Sequence, residues 1–222
     1  MLERHFDQEL QELKGSLLRM VGLVEQSIGE AVRSLVERDD ALAERVIQED
    51  ARIDEMEVAI EETCLRLLAL RQPIAVDLRF ITSAMKINND LERMADQAVN
   101  IAERALEINK EPLLKPLIDI PRMSELAQCM VKESLDAFIH RDVELARRVC
   151  GRDDEMDHLR DQVFRELLTY MMQDPRTINR AVYLILVTRH LERIADLATN
   201  VAEDVVYFVQ GRIIRHALEE HA

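Results

Sequence analysis

Tryptophan is absent from this 222-residue chain, aromatic residues make up 4% of it, and glycine and proline number only five each. With so few turn residues and with Leu, Ala, Glu, Arg and Met in excess, all strong helix formers, the chain reads as nearly all-helical. Positive charge is also in short supply, with 29 Lys and Arg against 43 Asp and Glu, for a formal net charge of -14. That balance argues against nucleic-acid binding through phosphate contacts and against tight docking on an anionic membrane surface. The three cysteines, Cys64, Cys129 and Cys150, have no paired spacing and no CxxC. They read as small core or surface residues in a reducing compartment. No apolar leader segment follows Met1, and no stretch approaches the ~18 consecutive apolar residues of a membrane span. The expectation is a cytoplasmic protein with no direct membrane insertion. A P-loop, a glycine-rich phosphate cradle, a GxSxG and any assembled nucleophile–base pair are missing too, so no enzyme is expected. The hydrophobic fraction of 48% is nonetheless ample for a core, which sets aside global disorder.

Apolar residues at helical spacing predict six long helices. The first covers 2–37, and the second runs from a cap at Asp39 or Asp40 to about residue 70. The third starts just after Pro73 and ends near 109; the others span about 122–140, 142–172 and 175–210, with Gly211 as a stop. The chain also repeats itself. LERMADQAVNIAE at 91–103 returns as LERIADLATNVAE at 191–203, with nine of thirteen positions identical. Arg38-Asp39-x-x-Leu42-Ala43-x-Arg45-Val46 is echoed by Arg141-Asp142-x-x-Leu145-Ala146-x-Arg148-Val149, and Arg52-x-Asp54-Glu55-Met56-Glu57 by Arg152-x-Asp154-Glu155-Met156-Asp157. The fold class is therefore all-α, with two tandem, internally duplicated antiparallel three-helix bundles. Their bounds are 1–110 and 122–211, with a proline-containing linker at 111–121 and a polar tail at 212–222.

The repeated segment carries chemistry as well as packing. Glu92, Asp96, Asn100 and Glu103 recur at i, i+4, i+8 and i+11, one stripe of a helix, and Glu192, Asp196, Asn200 and Glu203 do the same. The second helix offers Asp50, Asp54, Glu57 and Glu61 on one face, and the fifth offers Asp154, Asp157 and Asp161. Counting equal rises from the connecting turn puts Asp54 level with Glu92, Glu57 with Asn89 or Asp90, and Asp50 near Asp96. The same count puts Asp154 level with Glu192 and Asp157 with His190. Facing carboxylates repel unless they are protonated, paired with arginine or bridged by cations. An oxygen-only donor set suits Mg²⁺, Ca²⁺, Mn²⁺ or iron, and Zn²⁺ is also admissible. The competing reading is a solvated acidic face neutralised by Arg52, Arg93, Arg152 and Arg193. Duplication and the facing arrangement favour a metal site at Asp54, Glu57, Glu92 and Asp96 and their partners, with Glu103 and Glu203 left to salt bridges. Glu155-x-x-His158 has the spacing of a di-iron ligand pair, but its first-half counterpart ends in Val58. Two departures from the internal pattern stand out: Cys150 where Asp50 predicts an acid, and His190 where Asp90 does.

Two three-helix units carrying Glu92-x-x-x-Asp96 and Glu192-x-x-x-Asp196 resemble the PhoU family. The turns LRLLALRQP at 65–73, followed by Asp77-Leu78-Arg79-Phe80, and RELLTYMMQDP at 165–175 add to the likeness. The resemblance implies a metal-binding regulator of phosphate uptake and phosphate-starvation signalling, commonly a homodimer. It would act as a negative modulator and adaptor between the ATPase subunit of a phosphate ABC transporter and a sensor histidine kinase. It would be cytoplasmic, held peripherally at the inner membrane through protein partners. Multinuclear clusters of iron, zinc or manganese, with magnesium also admissible, are implied as cofactors. Carried onto matching positions, the ligands are Asp54, Glu57, Glu92, Asp96 and Asn100, with Asp154, Asp157, Glu192, Asp196 and Asn200. The alternative function is a carboxylate-bridged helical-bundle metalloenzyme or metal-storage protein, which requires the paired Glu-x-x-His set.

Overall fold

The computed structural model describes residues 2–211; the tail expected at 212–222 lies outside them. Its helices are α1 (Leu2–Glu37), α2 (Asp40–Arg71), α3 (Ala75–Asn109), α4 (Asp119–His140), α5 (Val143–Cys150), α6 (Asp153–Gln173) and α7 (Ile178–Gln210), with a 3₁₀ turn at Pro175–Thr177 before α7. The all-α, duplicated three-helix architecture is thus as expected. No described helix is long and apolar enough to cross a membrane.

The duplication extends to the turns. Asp39 and Asp142 cap α2 and α5, their side chains accepting from the Leu42 N–H at 3.0 Å and the Leu145 N–H at 2.9 Å. Arg38 and Arg141 precede them at φ 58° and 57°, the left-handed turn that ends a helix. The Asp39 and Asp142 N–H groups reach back to the Ser34 and Ala137 carbonyls, both at 2.9 Å, closing the same C-terminal motif twice.

Two boundaries differ from expectation. α4 starts at Asp119, so Pro121 lies in its first turn, where a missing N–H removes no helical hydrogen bond. The expected fifth helix is broken at Gly151 into α5 and α6. There the Gly151 N–H still reaches the Arg147 carbonyl at 3.0 Å, but the Arg152 N–H turns to the Val149 carbonyl at 3.0 Å, a tighter i−3 bond. α2, which contains no glycine, runs unbroken.

Within each unit the helices pack as a three-helix bundle, α2 on α1 and α3, and α5–α6 on α4 and α7. In addition α3 lies along α7 and α1 along α4. The result is a central group of four helices (α1, α3, α4, α7) flanked by α2 on one side and α5–α6 on the other, around one continuous core. The two units run antiparallel to each other. Phe80, early in α3, meets Phe208, late in α7, with centroids 5.9 Å apart, while Arg104 near the end of α3 lies 5.8 Å over the Tyr183 ring. Phe138 completes the junction, stacked on Phe80 at 4.9 Å. The proline-rich linker is strapped down. Arg38 donates to the Asn109 and Glu111 carbonyls, Arg180 to the Pro112 carbonyl, and the buried Lys115 ammonium pairs with Glu166.

Candidate functional site

The seam between α2 and α3 gathers the first group of acids. Ile53, Ile60, Cys64 and Leu67 point into the core from α2, and Leu91, Met94, Ala95 and Ala98 from α3. Asn88, itself buried, donates to the Glu57 carbonyl at 2.9 Å and pins the register of the two helices. Asp50, Asp54 and Glu57 then border the seam from one side, and Glu92 and Asp96 from the other. Partial burial, then the charges of Asp54 and Asp96, push the Asp50 carboxyl up to about 6. Glu92 is raised by burial and then by Asp96, Asp54, Glu57 and Asp50; Asp96 is raised by burial and then by Asp54. Glu57 is raised by burial and then by Glu61 and Asp54. The levels counted along the sequence, Asp54 beside Glu92 and Asp50 beside Asp96, agree with these couplings. Among the described residues no lysine or arginine forms an ion pair with any of these five. Asp90 pairs with Arg93 at 3.0 Å instead, and Glu103 with Arg104 at 3.3 Å. Asn100 is half-buried one turn beyond Asp96, its amide donating to the Asp96 carbonyl at 2.7 Å.

The second group, between α6 and α7, is built differently. Burial, then Asp153, Glu192 and Asp157, push Asp196 up to about 6, while Arg160 acts in the opposite sense. Asp153 is raised by burial, then by Asp157, Asp154 and Glu192. Asp154 itself is exposed, and its charge acts on Asp153. The break at Gly151 shifts the register, so that buried Met156, Val163 and Leu167 correspond to Ile53, Ile60 and Cys64. On that alignment Asp153 and Asp157 stand where Asp50 and Asp54 do, and Arg160 stands where Glu57 does. The acid expected to be lost to Cys150 is therefore present as Asp153. Cys150 closes α5 in the core, where burial pushes its thiol up to about 11. Arg160 pairs with Asp157 at 2.8 Å, with Asp161 at 2.9 Å, and across the seam with Glu192. Asn200 is half-buried one turn past Asp196. His190 lies outside the acids: its Nδ1 is 2.9 Å from the Gln97 Oε1 in the α3–α7 seam. Burial, then Arg193, Arg104 and Arg189, lower its pKa to about 4, so the ring is neutral. His158 is exposed, with Nδ1 against the Asp154 carbonyl.

Because Gln97 meets His190 and α3 and α7 are antiparallel, Glu92 is level with Asp196 and Asp96 with Glu192. The two groups thus flank the α3–α7 pair at one height. A cleft of about 520 Å³ lined by Glu57, Glu61, Lys86, Asn89, Asp90 and Asp204 opens beside the first. Among the described residues no three His, Cys, Asp or Glu side chains converge as a metal ion requires. Asp54 and Asp96 are exposed at the rim of the seam. The first donor set, all oxygen and without a paired cation, has the chemistry that hard and borderline cations take. Sequence reasoning missed Asp153 and Arg160. The signal that finds them is the row of buried residues on α6, laid over that of α2 in place of the shared letters.

The family model for the PhoU domain matches residues 17–105 and again 120–205. The phosphate-specific transport system accessory protein PhoU homolog of Aquifex aeolicus is 48% identical over 208 residues, covering 94% of each chain. That of Pseudomonas aeruginosa is 42% identical over 216 residues, 97% of this chain and 89% of its relative. The crystal structure of PhoU from Pseudomonas aeruginosa superposes with a TM-score of 0.89, covering 93% of this chain and 100% of that one. The phosphate transport system regulatory protein PhoU from Streptococcus pneumoniae gives 0.86 at 33% identity, covering 94% and 98%. With both repeats matched and the same fold in its solved relatives, the chain belongs to the PhoU family.

Proposed function

We propose that the protein is a cation-binding negative modulator of phosphate uptake and phosphate-starvation signalling. It works as an adaptor between the ATPase subunit of a phosphate ABC transporter and a sensor histidine kinase. Family membership supports the phosphate-transport role, since its relatives are named as accessory proteins of that system. The observation that carries the cation-binding part is the first acid group: Asp50, Asp54 and Glu57 of α2 face Glu92 and Asp96 of α3 across a helix seam, and among the described residues no arginine or lysine is paired with them. Asp54, Glu57, Glu92 and Asp96 would hold iron, manganese, zinc or magnesium, with Asn100 at the margin. In the second group Asp157, Glu192 and Asp196, with Asn200 at the margin, are the donors; Asp157 takes the place of Asp54 expected of Asp154, and Asp153 that of Asp50. A bound cation neutralises the repulsion and ties α2 to α3, so occupancy stiffens the face that partners meet. The protein works as a homodimer on the cytoplasmic side of the inner membrane, held there by its protein partners.

The test is elemental mass spectrometry on protein purified without chelator, beside an Asp54→Ala/Glu92→Ala/Asp96→Ala variant. A starvation-responsive reporter is read in cells carrying either form. Expected is metal in the natural protein, its loss from the first group in the variant, and derepression of the reporter. Equal metal content in two equally folded proteins would sink the reading.

A further inference from the structure

The two acid groups are related by duplication, yet at one shared position they carry opposite charge: Glu57 in the first and Arg160 in the second. We propose that Arg160 is a built-in counter-cation for Asp157 and Glu192 of the second group, so that a bound cation is held less tightly there than in the first. This rests on the cation-binding reading above. The Arg160 side chain is only 27% exposed and is held by Asp157 and Asp161 on its own helix and by Glu192 on α7. Its contact with Glu192 spans the α6–α7 seam, which is what a bridging metal ion does between carboxylates on two helices. A guanidinium is charged at every accessible pH and presents a fixed fork of donors, so it offers three carboxylates a permanent partner. Among the described residues no such group forms an ion pair with Asp50, Asp54, Glu57, Glu92 or Asp96, and Glu57 adds negative charge at the corresponding place. A divalent ion entering the second group must displace the guanidinium or sit beside it. At these separations that weakens binding on the order of ten- to a hundredfold. An ordinary surface salt bridge, by contrast, would contribute little to stability and leave metal affinity alone.

The experiment uses the full chain and Mn²⁺ as probe, titrated calorimetrically. Asp54→Asn/Asp96→Asn disables the first group so that the second is read by itself, and Asp157→Asn/Asp196→Asn does the reverse. Binding to the first group is expected to be at least about tenfold tighter than to the second. Adding Arg160→Glu to the first-group-disabled protein should bring the second to within about threefold of the first. Equal affinity at both groups, with Arg160→Glu changing nothing, overturns the proposal and leaves cation binding intact. Should Mn²⁺ bind at neither, the cation-binding reading fails, and melting curves in chelator decide the role of Arg160. Arg160→Gln should lower the melting temperature and Glu57→Gln should raise it. An unchanged melting temperature for Arg160→Gln overturns the proposal whatever the metal content.

Discussion

Replacing Asp50 by asparagine should stabilise the metal-free protein. The Asp50 carboxylate is partly buried in the α2–α3 seam beside Asp54 and Asp96, and its pKa rises from 3.8 to about 6. Such a group binds its proton more tightly in the folded state than in the unfolded chain. Below about pH 4 it is protonated in both states and costs nothing; above about pH 6 it is ionised in both and the repulsion acts in full. Stability contributed by protonation is therefore lost as pH rises from about 4 to about 6. Two pKa units correspond to a ceiling of about 3 kcal/mol. Solvent screening at a partly exposed site brings that to about 1–2 kcal/mol. In a chain of this size the difference is worth roughly 3–6 °C in melting temperature. Calorimetric melts in chelator at pH 4, 5, 6 and 7.5 would show Asp50→Asn indistinguishable from the natural protein at the acid end and more stable at the neutral end. Saturating Mn²⁺ should narrow the gap, because a bound cation offsets the repulsion that the Asp50 carboxylate meets from Asp54 and Asp96. Equal melting temperatures at pH 7.5 in chelator would refute the charge crowding inferred for this seam.

Phe138 is fully buried against Phe80 and Phe208, where the two units meet. Phe138→Ala should cost about 3–5 kcal/mol in urea unfolding, and a cost under about 1.5 kcal/mol would mean the junction is soft. Since the core is continuous across the units, the whole chain should unfold in one transition, and a 1–110 fragment should show no cooperative melt as a monomer. Two separated transitions in circular dichroism would contradict the shared core. Gly22 lies mid-helix on α1, and a Cβ added there meets nothing within 4 Å. Gly22→Ala should therefore gain about 0.5–1 kcal/mol of stability. Gly29→Ala should gain less, because its Cβ comes to 3.0 Å from the Gln128 side chain. Thermal melts of both variants would check that order.

Much of this molecule was legible along the chain. Helix-forming composition, aspartates poised as caps at Asp39 and Asp142, and apolar residues every three or four positions are local properties, so they set the helices and the duplication. The acid stripes on α3 and α7 follow from helical periodicity alone, and counting from the α2–α3 turn sufficed to bring Asp54 to Glu92, because α2 has no break. The same count slipped in the second unit, since one glycine tightened the ladder at 151 and set Asp153 and Asp157 where Asp50 and Asp54 stand. That displacement is settled by which residues of α6 the core accepts, and the core is a property of packing. Tertiary structure alone also decided that the two bundles merge antiparallel along α3–α7 and α1–α4, which sets both acid groups at one height. It further decided that Arg160 reaches Glu192 on another helix, because an ion pair forms between neighbours in space and nothing in the local sequence chooses them.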